Sequence, residues 1–280
     1  MSPQDLKTWI GASEEITDTV TAAPLTGLAT TLDHDKAPWP AATVPPLGHW
    51  LYFLPRALHR DIAEDGHPHR GGFLPPVPLP RRMWAGGTVS FLAPLTVGQT
   101  IRRISTIKDV TAKSGRSGDM VFVTVEHEIM TTTGPAVREL HDIVYREAAK
   151  PGDALPPPAA EPLPAVQWQR TITPDPVLLF RYSALTFNGH RIHYDRDYCR
   201  EAEGYPGLIV HGPLTATLLV DLFLRHNPGA RVTGFSFRAK RPLFDIHPFT
   251  LCGAATASGT QLWAQDHQGA LSMTARLDAQ

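Results

Sequence analysis

Between residues 120 and 129 the chain alternates, with Val121, Val123 and Val125 on one side and mostly polar residues on the other, the pattern of a half-buried strand. Comparable runs predict strands over 87–91, 101–110, 120–130 and 137–146. Ahead of them a helix is expected over 21–32, with Pro24 in its first turn, and HWLYFLP (49–55) reads as a buried apolar segment. The second half echoes that order. Residues 168–173 alternate like a strand, and a short mixed segment runs to Thr186. GPLTATLLVDLFLRHNPG (212–229) then has clear helix ends: Gly212 as cap, Pro213 at the first helical position, and Asn227-Pro228-Gly229 as the stop. Its middle, 214–224, is apolar nearly all round, so the helix is expected to be buried. Strands follow over 232–240, where Phe235, Phe237 and Ala239 share a face, then 249–256, 261–266 and 271–277. A buried helix followed by an antiparallel meander predicts a sheet wrapped around that helix. Two such halves predict an α+β chain made of two diverged copies of one fold.

A seam separates the halves. AAKPGDALPPPAAEPLPAV (148–166) is rich in Pro and Ala and lacks periodicity, which predicts an extended, stiff linker between domains 1–147 and 167–280. With 42 % hydrophobic residues in 280, each half can pack a core. The net charge of -1 suggests no nucleic-acid surface. No apolar run approaches the roughly 20 residues that span a bilayer, and MSPQDLKTWIGASEE lacks a signal layout. Cys199 and Cys252 form no disulfide framework. These features lead us to expect a cytoplasmic protein with neither nucleic acid nor membrane as partner.

Three of the 13 histidines fall in NGHRIHYD (188–195) and VHGPL (210–214): His190, His193 and His211. Three explanations compete. His190 and His193, three residues apart, with Asp195 or His211, would present ligands to a metal, yet the spacing matches no zinc signature. One neutral imidazole can act as acid–base catalyst without metal. Or each histidine is a hydrogen-bonded core or turn residue. The context favours catalysis. His211-Gly212-Pro213 sets backbone N–H groups at the start of a buried helix, where a carbonyl oxygen gaining negative charge is stabilised. Pro213 has no N–H, which leaves Gly212 as the useful donor. A histidine base beside an oxyanion site suits addition of water to an enoyl thioester.

The stretch FRYSALTFNGHRIHYDRDYCREAEGYPGLIVHGPLTATLL resembles the MaoC-type hot dog hydratases and dehydratases. More narrowly, it resembles the type 2 hydroxyacyl-thioester dehydratases and the mesaconyl-C4-CoA (3-methylfumaryl-CoA) and itaconyl-CoA hydratases. DGHPHRGGFLPPVPLPRRMWAGG (65–87) and KSGRSGDMVFVTVEHE (113–128) resemble the partner domain of the mesaconyl/itaconyl group. The resemblance implies a double hot dog, with two antiparallel sheets each wrapped around a central helix and the catalytic motif confined to the C-terminal half. The wider family carries Asp-x-Asn-Pro-Leu-His, whose Asp and His activate water. His193 takes the histidine position here, but Asn188 stands at the aspartate and His190 at the asparagine. An amide cannot accept a proton at neutral pH. Asn188 is therefore expected to position water or substrate, with Asp195 as orienter or second base, and His211 to sit with the substrate-binding residues.

The mesaconyl group's substrate has a free carboxylate, which calls for a cation. PLPRRMWAGG offers Arg81 and Arg82 beside Trp84, held by prolines, with Gly86-Gly87 permitting close backbone approach. Arg238 and Lys240, alternate residues of one predicted strand, with Arg241 next to them, are placed against CoA phosphates. GRSG (115–118) reads as a hairpin turn. The expected activity is hydration of mesaconyl-C4-CoA or itaconyl-CoA to citramalyl-CoA, with no metal and no cofactor beyond the CoA of the substrate. A homodimer is expected by analogy. A fatty-acyl 3-hydroxyacyl-thioester dehydratase, a hot dog thioesterase and a non-catalytic acyl-CoA-binding protein are the alternatives.

Overall fold

The computed structural model describes residues 3–115, 118–148 and 161–280; most of the expected linker and the tip of the GRSG turn lie outside them. The N-terminal half runs α1 (Pro3–Leu6), β1 (Ser13–Thr19), α2 (Ala22–Thr31), β2 (Arg81–Phe91), β3 (Thr100–Gly115), β4 (Gly118–Thr131) and β5 (Gly134–Arg146). The C-terminal half runs β6 (Trp168–Ile172), α3 (Pro176–Thr186), α4 (Arg196–Glu201), α5 (Gly212–His226), β7 (Val232–Ala239), β8 (Phe249–Thr256), β9 (Gly259–Gln265) and β10 (Leu271–Ala279). All pairings are antiparallel, in the order β1-β3-β4-β5-β2-β7-β10-β9-β8-β6. From its outer edge each half reads first, third, fourth, fifth, second. The halves therefore share one topology and meet at equivalent strands.

The double hot dog expected from the sequence is present, with two differences. The two sheets are one, joined through β2 and β7 from Gly86↔Arg238 to Ser90↔Gly234. Glycine makes that joint possible: a Cβ on Gly86 would lie 2.5 Å from the Phe237 carbonyl oxygen, and one on Gly87 2.7 Å from that of Leu140. Secondly, only the C-terminal half holds a long central helix. α5 lies on its own sheet with Leu214, Leu218, Leu219 and Leu222 buried. The shorter α2 packs against α3 and the 3-10 turn Gly48–Leu51, which begins the HWLYFLP segment.

The inner face of the N-terminal sheet reflects that difference. Along β4 it carries Val121, Val123, Val125, His127 and Ile129; along β5 it carries Val137, Glu139, His141, Ile143 and Tyr145. Arg103 and Ser105 of β3 share it, with Ser105 opposite His127. A polar band thus lies between two apolar clusters, one around Ile101, Ile129 and Val137, the other around Ile107, Val123 and Ile143.

The apolar reading of α5 missed one function of the helix. Asp221 is 2 % exposed. It accepts from Arg170 Nη1 at 2.9 Å and Arg225 Nε at 2.8 Å, and pairs with His34 Nε2 at 2.5 Å. Arg225 also donates to the Leu32 carbonyl just past α2, so this carboxylate ties the two halves together.

Candidate functional site

Residues 187–195 form the loop that carries His190 and His193. α3 starts on Asp175, whose side chain accepts the Leu178 N–H, and ends at Phe187 in the left-handed region (φ 49°). The Asn188 N–H then donates to Ser183 O, and its Oδ1 accepts the His190 N–H at 3.0 Å. That Asx turn aims the next residues into a 3-10 turn, Arg191–His193.

His193 is 6 % exposed, and its Nδ1 lies 2.8 Å from the Ile209 carbonyl oxygen. A carbonyl only accepts, so Nδ1 carries the hydrogen and Nε2 keeps its lone pair. His211 stacks on its face at 3.6 Å between ring centres and is itself held by Ser183 Oγ at 2.8 Å. Burial pushes the His193 pKa down to about 4, and that of His211 well below the usual imidazole range. These shifts favour neutral rings at neutral pH, and His193 is held in one tautomer with Nε2 able to accept a proton.

Asp195 does not orient His193. Its Oδ1 caps α4 by accepting the Tyr198 N–H, and its Oδ2 accepts from Arg191 Nε and Nη2 at 3.0 and 2.8 Å. The Tyr198 N–H and the Arg191 guanidinium hold its carboxyl below the usual range. The orienting role falls to the Ile209 carbonyl. Gly212 begins α5 and lines the same cavity as His193; it lies ahead of the first i→i−4 bond, Thr215 N–H to His211 O, so its N–H is one of the free donors of the helix start.

A second loop completes the site from the N-terminal half, and the sequence reading did not single out its residues. Asp65 Oδ1 accepts the His67 N–H at 2.9 Å, and Oδ2 lies 3.0 Å from His67 Nδ1. The His67 ring sits 4.1 Å from that of His190, which is 5.6 Å from that of His193. Gly66, at φ +90°, lies against the 187–195 loop so closely that a Cβ would fall 1.8 Å from Gly189 O. The Arg191 N–H donates to Asp65 O. The sequence marked this segment as part of the 65–87 stretch that carries the resemblance, and Asp-Gly as a turn dipeptide, but neither assigned Asp65 or His67 a role. Burial pushes the His190 pKa down to about 2, assisted by the neighbouring His67 and His193. Asp65, His67 and His190 bring potential ligand atoms within 4.8 Å of one another, the one such group among the described residues. Both Asp65 oxygens already serve His67, the pattern of a hydrogen-bonded dyad and not of a ligand set. The set weighed from spacing, His190 and His193 with Asp195 or His211, forms no such group among the described residues, although the three histidine rings lie close together.

His67, Asn188, His190, His193 and Gly212 line one cavity of about 2140 Å³ that reaches from α5 to the polar band of the N-terminal sheet. Arg82 lies in it, directly across from Tyr145 on β5, and among the described residues no carboxylate pairs with it. The Trp84 ring lies 4.0 Å from that of His141, tilted by 35°, and its Nε1 donates to Gly86 O. Burial drives the pKa values of His141 and His127 down to about 3 and about 4. Burial would raise Glu139, but the His49 hydrogen bond and the surrounding histidines hold it at about 2. Arg81 is committed elsewhere: its Nε donates to Glu203 at 2.9 Å and its guanidinium covers Tyr205. Arg238 and Lys240 do not share a face. Lys240 lies past the end of β7, pairs with Glu161 and lines the cavity with Arg241. Arg238 lines a separate depression with Asp142 and Arg276.

Residues 47–245 match the family model described as hydroxyacyl-thioester dehydratase type 2. The chain is 48 % identical over 281 aligned residues to the mesaconyl-C(4)-CoA hydratase of Chloroflexus aurantiacus, covering 99 % of each. Among solved structures it resembles a MaoC-like dehydratase from Phytophthora capsici, with a TM-score of 0.72 and 15 % identity over 100 % of this chain and 99 % of that one. It also resembles a Mycobacterium tuberculosis protein described as a double hotdog, with a TM-score of 0.58 and 14 % identity, covering 100 % and 98 %. With a hydratase as relative along its whole length, the chain belongs to the type 2 hydroxyacyl-thioester dehydratases, hydro-lyases of MaoC-like, double hot dog fold.

Proposed function

We propose that the protein hydrates a branched, carboxylate-bearing enoyl-CoA: mesaconyl-C4-CoA, and alongside it itaconyl-CoA, converted to citramalyl-CoA. The observation that carries this reading is Arg82, a cation with no carboxylate partner among the described residues, in the same cavity as a histidine whose Nε2 is free. The name of the Chloroflexus relative, at 48 % identity, supports the substrate.

On mesaconyl-C4-CoA, whose double bond is conjugated with the thioester, His193 Nε2 takes a proton from water as the water oxygen bonds to the carbon β to the thioester. The displaced electron pair moves toward the thioester oxygen, where the Gly212 N–H at the start of α5 stabilises the charge. Asn188, its Oδ1 committed to His190, keeps its amide N–H groups for water or substrate. Protonation of the α carbon completes the addition. Arg82 holds the substrate carboxylate, with Trp84 and His141 as the wall beside it. Lys240 and Arg241 at the cavity wall meet the CoA phosphates. The N-terminal half, which has no counterpart of NGHRIH, shapes the pocket. The thioester is the electron sink, so the chemistry calls for neither metal nor cofactor.

The test is loss of enoyl-thioester absorbance with purified protein, using mesaconyl-C4-CoA and crotonyl-CoA in parallel and His193→Ala as control. Turnover of the mesaconyl substrate, lost in the variant, is expected. A preference for crotonyl-CoA would point to the fatty-acyl dehydratase instead, and no turnover of either to an acyl-CoA-binding protein.

A further inference from the structure

Water addition needs two proton transfers, one from water and one to the α carbon, and His193 accounts for the first. We propose that His67, oriented by Asp65, is the second proton-transfer group: it delivers the α-carbon proton in hydration and removes it in dehydration. The proposal rests on the hydratase reading above.

The other polar groups near His193 are unsuited to that step. Asn188 is an amide. Asp195 is committed to Tyr198 and Arg191. His211 is fully buried and bound to Ser183. His190 has no carboxylate partner of its own. His67 does: the carboxylate only accepts, so Nδ1 carries the hydrogen toward Asp65 Oδ2, and Nε2 is left for the cavity that His67 lines. This is the arrangement that stabilises an imidazolium when it forms. The placement is built from both halves. The Asp65-Gly66 tip is closed by the Gly66 N–H to Ala63 O and the Ala63 N–H to His67 O, and it presses on Gly189 without room for a single carbon.

The charged and titratable groups facing His67 are Asp65, His190, His193, Arg82 and Arg70. Burial lowers its pKa, Asp65 opposes that, and Arg82 and Arg70 add to the lowering. A substrate carboxylate on Arg82 cancels the nearer positive field and leaves Asp65 as the dominant neighbour. Substrate binding therefore favours the protonated His67 that the step requires.

The atoms balance. The water O–H bond breaks and its proton passes to His193 Nε2. The Cβ–O bond forms and the C=C pair becomes an enolate. The enolate pair takes the proton from His67 Nε2 to form the Cα–H bond. One proton returning from His193 to His67, through His190 or solvent, restores both groups.

The test begins with wild-type turnover of mesaconyl-C4-CoA; if none occurs, the hydratase reading and this proposal fall together. With turnover in hand, His67→Gln is expected to lower kcat about 10²–10⁴-fold with KM and melting temperature little changed. Asp65→Asn is expected to lower kcat less and to move the pH profile. Exchange of the product's α-hydrogen in D2O assigns the proton: it should persist in His193→Ala and vanish in His67→Gln. Turnover within threefold of wild type in His67→Gln, or α-exchange that survives it, overturns the proposal and leaves the hydratase reading intact. So does one equivalent of divalent metal in the wild type that is lost in His67→Gln.

Discussion

Gly66→Ala is the sharpest probe of how the two halves share one site. The substitution adds one carbon, yet that carbon would lie 1.8 Å from Gly189 O, where contacts below 3.0 Å essentially never occur. The Asp65–His67 tip must therefore back away from the 187–195 loop by about 1.2 Å, at the least. Alanine at φ +90° adds a backbone cost of about 1–2 kcal/mol. A misplacement of about 1 Å in a catalytic site costs roughly 10²-fold, or about 2.7 kcal/mol of transition-state stabilisation. The expected result is a fall of that size in kcat/KM for mesaconyl-C4-CoA, read as loss of enoyl-thioester absorbance, with the fold intact by circular dichroism. Gly72→Ala is the matched control, because a Cβ there meets nothing within 4 Å. Gly66→Ala activity within threefold of wild type would refute the claim that the tip's seat on Gly189 sets the reacting geometry.

Arg82→Met should lower kcat/KM for mesaconyl-C4-CoA about 10- to 10²-fold, the worth of a charge-assisted hydrogen bond, and leave crotonyl-CoA turnover unchanged; equal losses on both would remove the carboxylate role. Asp221→Ala leaves Arg170 and Arg225 without their buried partner. It should cost about 3 kcal/mol and lower Tm by roughly 6–12 °C, and a shift below 2 °C would contradict the tie between the halves. His127, His141, His190, His193 and His211 are among the histidines whose pKa values burial lowers. The unfolded chain takes up protons below about pH 6.5 while the folded one does not until near pH 4 or lower. Stability should therefore fall with pH across that window, by up to about 1.4 kcal/mol per unit for each such group; equal urea midpoints at pH 7.5 and 5.5 would count against it.

Strands with regular alternation were legible in the sequence: β4, β5, β7, β8 and β10 fall within a few residues of expectation. So was α5, because Pro213 and Asn227-Pro228-Gly229 mark its ends. β1 was not, since SEEITDT offers a single apolar residue, Ile16, at a sheet edge. α3 was hidden because it is only partly buried, with Val177 and Phe180 exposed, and so lacks a clear stripe. At the site, local spacing reached His190, His193 and Gly212. It could not tell Asp195 the cap from Asp195 the base, because that depends on where Arg191 folds back. Nor could it pair His67 with His190, more than a hundred positions apart. Arg81 and Arg82 look alike in sequence and are separated only by the alternation of β2, which sends one to Glu203 and leaves the other in the cavity without a carboxylate partner among the described residues.

The equivalence of β2 and β7 at the joint has a consequence for stoichiometry. Two identical hot dogs meeting at these strands would be related by a twofold axis, and every cleft at their seam would occur twice. Each copy would then have to keep its central helix and also vacate that space for the acyl group, which one sequence cannot do. Tethering the copies in one chain breaks the symmetry: the C-terminal copy keeps α5 and the loop of His190 and His193, and the N-terminal copy has a polar chamber where a long central helix would lie. The gain is a cleft tailored on both walls, and the consequence is one working site per 280 residues, half the number that an untethered pair would carry.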